Sequence, residues 1–458
     1  MIIKITPENY STINIPVSSD VEISMLSSQH QLMIFLERNL YNVRSLEIVD
    51  CKWLASIPVL PNLTTLNCKG CIMLTGIPES PNLVTLDCSR CDSLTSISSL
   101  PNLVTLDCSG CEGLTSMSSL PNLTSLYCTY CYKLPAVPES PNLTILDCRH
   151  CDALTSISAI SNLTTLNCSG CEGLTSISSL PNLTSLNCWR CYKLTGIPDL
   201  PNLTSLNCGH CYKLHDISVS PNLTTLNCSY CEALTSIPPL PNLTSLNCGH
   251  CYKLQDIQES PNLTTLDCRY CEALTYISSL PNLTSLDCGH CYKLQDIQES
   301  PNLTALDCRF CEALTCISSL PNLTKLDCGH CYKLSDIPEL PKLTALDCRY
   351  CEALTGIPLL PNLTNLVYYN CPNLSISTIP IKFIPDLDID TLIKCLEYNP
   401  YNICDMSGKP ELLNLPSTLN IISEYLEYVD GVTLLELEGL LTENNIPLPT
   451  LVKPANKV

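Results

Sequence analysis

Cysteine is the residue that first suggests chemistry: the 458-residue chain holds 35, and most stand in Cys-x-x-Cys pairs. Such a pair performs dithiol redox chemistry when its first sulfur is an accessible, low-pKa thiolate. Four copies read Cys-Gly-His-Cys and begin at Cys208, Cys248, Cys288 and Cys328. Two successive pairs also have the spacing of a four-thiolate zinc centre, as Cys208, Cys211, Cys228 and Cys231 fit C-x2-C-x16-C-x2-C.

The elements that carry these residues are repeats. Rows of twenty align without a gap from Tyr41 to Pro380, giving seventeen repeats that read roughly PNLTxLxCxxCxxLTxIPxL. Numbered from the proline, apolar residues or cysteines fall at positions 3, 6, 8, 11, 14, 17 and often 20, as in Leu203, Leu206, Cys208, Cys211, Leu214 and Ile217. Positions 6 and 8 alternate as one face of a short strand. Positions 14 to 20 hold no more than one helical turn, so the return side is expected to be extended or 3-10. From about Pro201 the period doubles: Pro241 to Leu280 and Pro281 to Leu320 differ at four positions.

This alignment changes the reading of the cysteines. Fifteen occupy position 8 and seventeen position 11, leaving Cys316, Cys395 and Cys404 outside the columns. A redox cysteine needs exposure at a helix N-terminus, whereas position 8 ends a strand and points inward. A twenty-residue repeat with Cys-x-x-Cys generates the zinc spacing automatically, and a row of dianionic centres would crowd like charges in low dielectric. The plainer reading makes position 8 a small core filler and has position 11 donate its S–H to a backbone carbonyl near the strand end. No catalytic residue, metal site or cofactor is expected. His210, His250, His290 and His330 fall at position 10 and alternate with Tyr230, Tyr270, Phe310 and Tyr350 in an outward stripe, either a stacked ladder or a binding stripe.

The motif Leu203-x-x-Leu206-x-Cys208-x-x-Cys211-x-x-Leu214 resembles the leucine-rich repeat pattern LxxLxLxxN/CxLxxLP, with cysteine for the second strand leucine and the next leucine one residue late. That spacing is similar to the cysteine-containing class found in F-box substrate receptors. The resemblance covers about three quarters of the chain. It implies a solenoid with short parallel strands on a concave face, α+β overall once the ends are included, that binds another protein along that face. The low-divergence repeats also resemble repeat-protein families of large DNA viruses that infect amoebae, which implies a host cytoplasm.

The outward strand positions 5, 7 and 9 therefore become the candidate contact surface. Position 7 carries Asp267, Asp287, Asp307, Asp327 and Asp347, and position 9 carries Arg269, Arg309 and Arg349 with glycine between. Rows of carboxylates one rung apart call for a partner of basic or mixed charge, or simply keep a long array soluble. Trp189 and Arg190 break the pattern at positions 9 and 10, and an exposed tryptophan there suits an interface anchor.

Other classes are set aside by composition. A net charge of -20 leaves no phosphate-neutralising surface for nucleic acid and would be repelled by an anionic membrane. The start, MIIKITPENYSTINIPVSS, has no continuous apolar stretch of a secretory signal, so reduced thiols and a cytoplasmic location are expected. The recurrent Asn-Leu-Thr follows from the repeat itself and is not expected to be glycosylated. No Ser-His-acid set, phosphate loop or carboxylate pair stands apart from the repeats, so no enzyme is expected.

Residues 1–40 and 381–458 flank the array, and both ends of a solenoid need caps. Helical spacing is predicted for Asp390 to Tyr398 and Ser417 to Val429, with a further helix opened by Thr433 and Glu436 as a capping box. These ends also resemble the POZ-type adaptor that joins F-box proteins to cullins: MIIKI and STINIPVSSDVEISML look like its first half, IPDLDIDTLIKCLEY and LNIISEYLEYVDGVTLLEL like its second. That resemblance implies an alternative, a cullin-type ubiquitin-ligase receptor. A zinc or thiol buffer is the third reading, behind an intracellular protein-binding scaffold.

Overall fold

The computed structural model describes residues 2–5, 11, 15–23, 28–39, 41–218, 220–380 and 383. Two compact bodies divide it, Met1–Leu274 and Thr275–Val458. In both, the twenty-residue repeat sets the register.

The first body opens with strands β1 (Ile2–Ile5) and β2 (Ser19–Ile23), helix α1 (Gln29–Asn39) and strand β3 (Val43–Glu47). All pairing is parallel: β1 with β2, β2 with β3, and β3 with β4 (Thr65–Asn67). From β4 onward each strand of the main sheet is only three residues, positions 5 to 7, and Leu66 faces Leu86, which faces Leu106. Strands this short hold because every rung is copied by the next. The carbonyl at position 7 accepts the N–H of position 8 in the preceding repeat, as in Cys68 to Asp87 at 2.8 Å. Strand therefore ends one residue before the cysteine, short of the predicted 6-to-8 alternation, yet the cysteine still turns inward. Leu203, Leu206, Cys208, Cys211, Leu214 and Ile217 are each at most 2% exposed.

The second body repeats the arrangement through Ser285–Asp287, Ala305–Asp307, Lys325–Asp327, Ala345–Asp347 and Asn365–Val367, paired parallel in that order. In both bodies the return side is extended. Two-residue ladders form where position 18 of the later repeat offers an N–H, as when Ser118 donates to Ile97 (2.9 Å) and Ser318 to Ile297 (3.1 Å). Proline at that position, as at Pro78 and Pro138, has no N–H to give. A 3-10 turn, Ile376–Thr378, closes the last repeat. The predicted helices of residues 390–398, 417–429 and 433 onward lie outside the described residues.

Helix α1 is hydrogen-bonded to the first repeat through Gln29. In later repeats the N–H at position 15 donates to the position-15 carbonyl of the repeat before, as Thr75 does to Ala55 (3.2 Å). Ala55 sits in the first repeat and donates instead to Gln29 Oε1 at 3.1 Å, while Gln29 Nε2 donates to the Ser56 carbonyl at 2.6 Å. The glutamine amide thus replaces a missing peptide group. Gln29→Ala should destabilise this edge by about 1–2 kcal/mol, two hydrogen bonds at their usual net value. The check is hydrogen exchange at the Ala55 amide, expected to accelerate while the Thr115 amide keeps its rate.

Candidate functional site

The Cys-x-x-Cys columns form a hydrogen-bonded ladder. From Cys71 onward, position-11 thiols donate to the carbonyl of position 8 in the preceding repeat. In the first body Cys91 donates to Cys68 (3.3 Å), Cys171 to Cys148 (3.0 Å) and Cys231 to Cys208 (3.2 Å). In the second, Cys311 donates to Cys288 and Cys351 to Cys328, both at 3.1 Å. This is the carbonyl-bonding role expected for that column, and the carbonyls served lie just past the strand ends where no sheet donor reaches.

The Cys-Gly-His-Cys sulfurs share this burial. Cys208, Cys288 and Cys328 are fully buried, and their thiols are pushed well above the ordinary range, first by hydrogen bonds to Cys231, Cys311 and Cys351 and then by burial. A sulfur held as a thiol is a poor nucleophile and a poor metal ligand. Among the described residues, no three His, Cys, Asp or Glu side chains meet in a group that could hold a metal ion.

Position 10 is the feature the spacing did not reveal. Its backbone is left-handed in repeat after repeat, with φ of 59° at His210, 60° at Tyr230, 61° at His250 and 62° at His330. Glycine occupies the same place at Gly70, Gly110 and Gly170, and that recurrence was the available signal. An L-residue there is strained by about 1–2 kcal/mol, and the rings supply compensation by stacking. In the first body the centroids of His210, Tyr230, His250 and Tyr270 follow one another at 4.2, 4.1 and 4.3 Å. In the second, His290, Phe310, His330 and Tyr350 follow at 4.4, 4.1 and 4.4 Å. Each Cys-Gly-His-Cys histidine also has Nδ1 3.3 Å from the tyrosine hydroxyl two residues on, Tyr212, Tyr252, Tyr292 or Tyr332. Burial pulls the His210 and His290 pKa values down, helped by Arg190 and Arg309.

Position 7 has a local duty as well. Its side-chain oxygen accepts the N–H of position 9, as Asp87 does from Ser89 (3.0 Å), Asn227 from Ser229 (3.0 Å) and Asp327 from Gly329 (3.1 Å). This Asx turn carries the chain out of the strand, and it accounts for a column that is almost wholly Asn or Asp. Where arginine stands at position 9 it also folds back on the same carboxylate: Arg269 on Asp267 in the first body, Arg309 on Asp307 (2.8 Å) and Arg349 on Asp347 in the second.

The second body brings the predicted acidic residues together. Asp287, Asp307, Asp327 and Asp347 lie in register on adjacent strands and line an open groove of about 420 Å³ with Lys325. Ser285, Ala305 and Ala345 at position 5 keep its floor low. Beside it, Gly329 leaves a notch of about 180 Å³ between Arg309 and Arg349, walled by Phe310 and His330 with Asp327 alongside.

Asp307 is the most perturbed carboxylate of the row. Burial pushes its pKa up to about 6 against the Arg309 N–H and guanidinium, and Asp287 and Asp327 add to the rise. A carboxyl whose folded pKa exceeds its unfolded value binds its proton more tightly when folded. The stability it contributes is complete below about pH 4 and lost as pH rises through about 6. Asp307→Asn keeps an oxygen for the Arg309 N–H and removes the charge. It should raise stability by about 1 kcal/mol at pH 7.5, after screening at this partly exposed site is allowed for, and leave it unchanged at pH 4. Denaturant melts at the two pH values provide the comparison.

In the first body Trp189 and Arg190 meet each other. The Arg190 guanidinium sits 4.0 Å from the Trp189 ring centroid, a cation–π contact, and the His210 edge meets the same indole at 5.7 Å. Gly209 leaves room for the indole, since a Cβ there would lie 3.2 Å from Trp189 Cδ1. Trp189 is thus partly buried where an exposed anchor was expected. Asp267 and Arg269 stand several repeats further along the same body.

A second groove in this body escaped sequence reasoning. About 960 Å³ in volume, it runs over positions 2 and 4, past Asn82, Val84, Asn102, Val104 and Asn122, with Arg44 at one end. Each asparagine amide donates to the position-1 carbonyl of the preceding repeat, Asn82 to Pro61 (2.8 Å) and Asn122 to Pro101 (2.7 Å). That bond is the reason Asn-Leu-Thr recurs. Valine for threonine at 84 and 104 was the visible signal of an apolar stretch.

Residues 221–260 match the family model described as Leucine Rich repeats (2 copies). No curated protein matches the chain. Among solved structures it is similar to a leucine-rich repeat protein from Bacteroides ovatus ATCC 8483, at 16% identity over 70% of this chain and 81% of that one, with a TM-score of 0.42. It is also similar to YopM from Yersinia enterocolitica WA-314, at 19% identity over 80% of this chain and 91% of that one, with a TM-score of 0.38.

Proposed function

We propose that the chain is a leucine-rich repeat array acting as a non-catalytic scaffold that binds another protein along the outward face of its strands, the concave face of such an array. The observation that carries this reading is the groove of the second body, where Asp287, Asp307, Asp327 and Asp347 stand in register over a floor of small side chains. Inward positions are committed to the core and to the thiol ladder, so the outward columns are where chemistry can vary without loss of the fold. Lone carboxylates at solvent contribute little to binding, but a row in a groove gives a cationic or mixed-charge partner several contacts in fixed order.

The test uses the full chain and the proteins that co-purify with it. Charge reversal in the groove, Asp287→Lys with Asp327→Lys, should release a bound partner. Reversal on the return side, at position 16, Asp296→Lys with Asp336→Lys, should leave it bound. Retention by both variants, or equal loss from both, would count against the reading.

A further inference from the structure

The groove over positions 2 and 4 of the first body is chemically unlike the acidic one. Among the residues that line it only Arg44 is charged, and Arg44 is held by Asp20 at 2.9 Å. In a chain of net charge -20, this groove of about 960 Å³ is lined by no carboxylate. Its main feature is a column of five exposed amides, Asn62, Asn82, Asn102, Asn122 and Asn142.

Each amide commits one N–H to the repeat before it, as Asn62 does to the Tyr41 carbonyl (2.7 Å), Asn102 to Pro81 (2.7 Å) and Asn142 to Pro121 (2.9 Å). The second N–H and the side-chain oxygen have no partner among the described residues, so each rung offers one donor and one acceptor. Alongside, the position-4 backbone forms its own ladder, Val84 donating to the Thr64 carbonyl and Val104 to the Val84 carbonyl, both at 2.8 Å. The row is therefore set before anything binds. From Thr124 to Thr364 position 4 is threonine throughout, and valine stands there only at 84 and 104. Those two side chains give the groove an apolar patch.

Spacing decides which ligand keeps step with the amides. Adjacent rungs lie about 4.8 Å apart, whereas peptide groups facing one side of an extended chain recur about every 6.8 Å, so a peptide falls out of step after one rung. A β-1,4-linked pyranose chain is a straight ribbon that advances by close to one rung per sugar. Its hydroxyls donate and accept, as the free amide edges do, and its ring faces are apolar, as the valine methyls are. Five asparagines span four rungs, about 19 Å, which accommodates four sugars.

We propose that this groove binds a neutral β-1,4-linked oligosaccharide lying along the array. Asn82, Asn102 and Asn122 hydrogen-bond hydroxyls of successive sugars, and Val84 and Val104 pack against the ring faces. The amides fix orientation and register, while the valines add apolar burial. The site shares no residue with the acidic groove and does not depend on the function proposed for it.

The experiment is isothermal titration of the full chain with cellohexaose, and with maltohexaose, whose α-1,4 links make the same sugar coil. Cellohexaose should bind with one site per chain and at least about tenfold more tightly than maltohexaose. Val84→Thr with Val104→Thr restores the residue most repeats carry, so the array should fold as before. The exchange removes two methyl contacts and should weaken cellohexaose binding by about tenfold. No saturable binding of cellohexaose at millimolar concentration, equal affinity for maltohexaose, or affinity unchanged in the double variant would overturn the proposal.

Discussion

Cys228→Leu should destabilise the first body by about 1–3 kcal/mol, the usual effect of adding carbons to a packed interior. Leucine is the residue the repeat pattern would otherwise carry at position 8, so the loss would show that this core is sized for a thiol. Cys228 is fully buried between Leu226 and Cys231, both at most 2% exposed, and its thiol is in hydrogen-bond contact with Cys251 of the next repeat. A leucine there must displace that sulfur or push the adjoining rungs apart. Urea melts of the two chains give the comparison, with an unchanged denaturant slope showing that the same surface is exposed on unfolding. A Cys228→Leu chain as stable as the parent would mean that the column is cysteine for a reason other than volume.

His250→Val should be costlier, about 2–4 kcal/mol, because two effects act at one residue. The position has φ of 61°; histidine already bears the ordinary left-handed penalty there, and a β-branched side chain adds about 1 kcal/mol to it. Its ring stacks on Tyr230 and Tyr270 at 4.1 and 4.3 Å, and each stack is worth about 0.5–1.5 kcal/mol. His250→Gly separates the two, since glycine accepts the backbone and loses only the rings. Its stability should fall between the parent and the valine variant. A valine variant equal to the glycine variant would show that the left-handed backbone carries no strain.

Inward columns were legible from spacing because burial repeats with the period, so Leu203, Cys208 and Ile217 could be placed without coordinates. The carbonyl-bonding role of position 11 was legible too, since a thiol near a strand end has few other partners. What spacing does not encode is backbone handedness and reach within a turn. The left-handed position 10 was announced only by Gly70, Gly110 and Gly170, and without it the histidine stripe could be read as a ladder or as a contact surface. The same limit hid the fold-back of Arg309 onto Asp307: two residues apart in sequence, they meet because the Asx turn brings position 9 over position 7. The acidic columns were placed correctly on adjacent strands, while the groove over Asn82, Val84 and Val104 depended on a side-chain hydrogen bond that sequence alone does not display. Gln29 went unnoticed for a similar reason, as its amide substitutes for a peptide group that exists only once the array is folded.

Structure is assigned to the paired cysteines and function to the outward columns, a division that alkylation of the native, reduced chain tests most directly. Iodoacetamide labelling with peptide mapping, alongside zinc determination on the same sample, should modify Cys51, Cys316 and Cys371, the described cysteines that are not buried. Cys208, Cys248, Cys288 and Cys328 should become reactive only in denaturant, with no stoichiometric zinc bound. Rapid native labelling of those four sulfurs, or several zinc ions per chain, would contradict it.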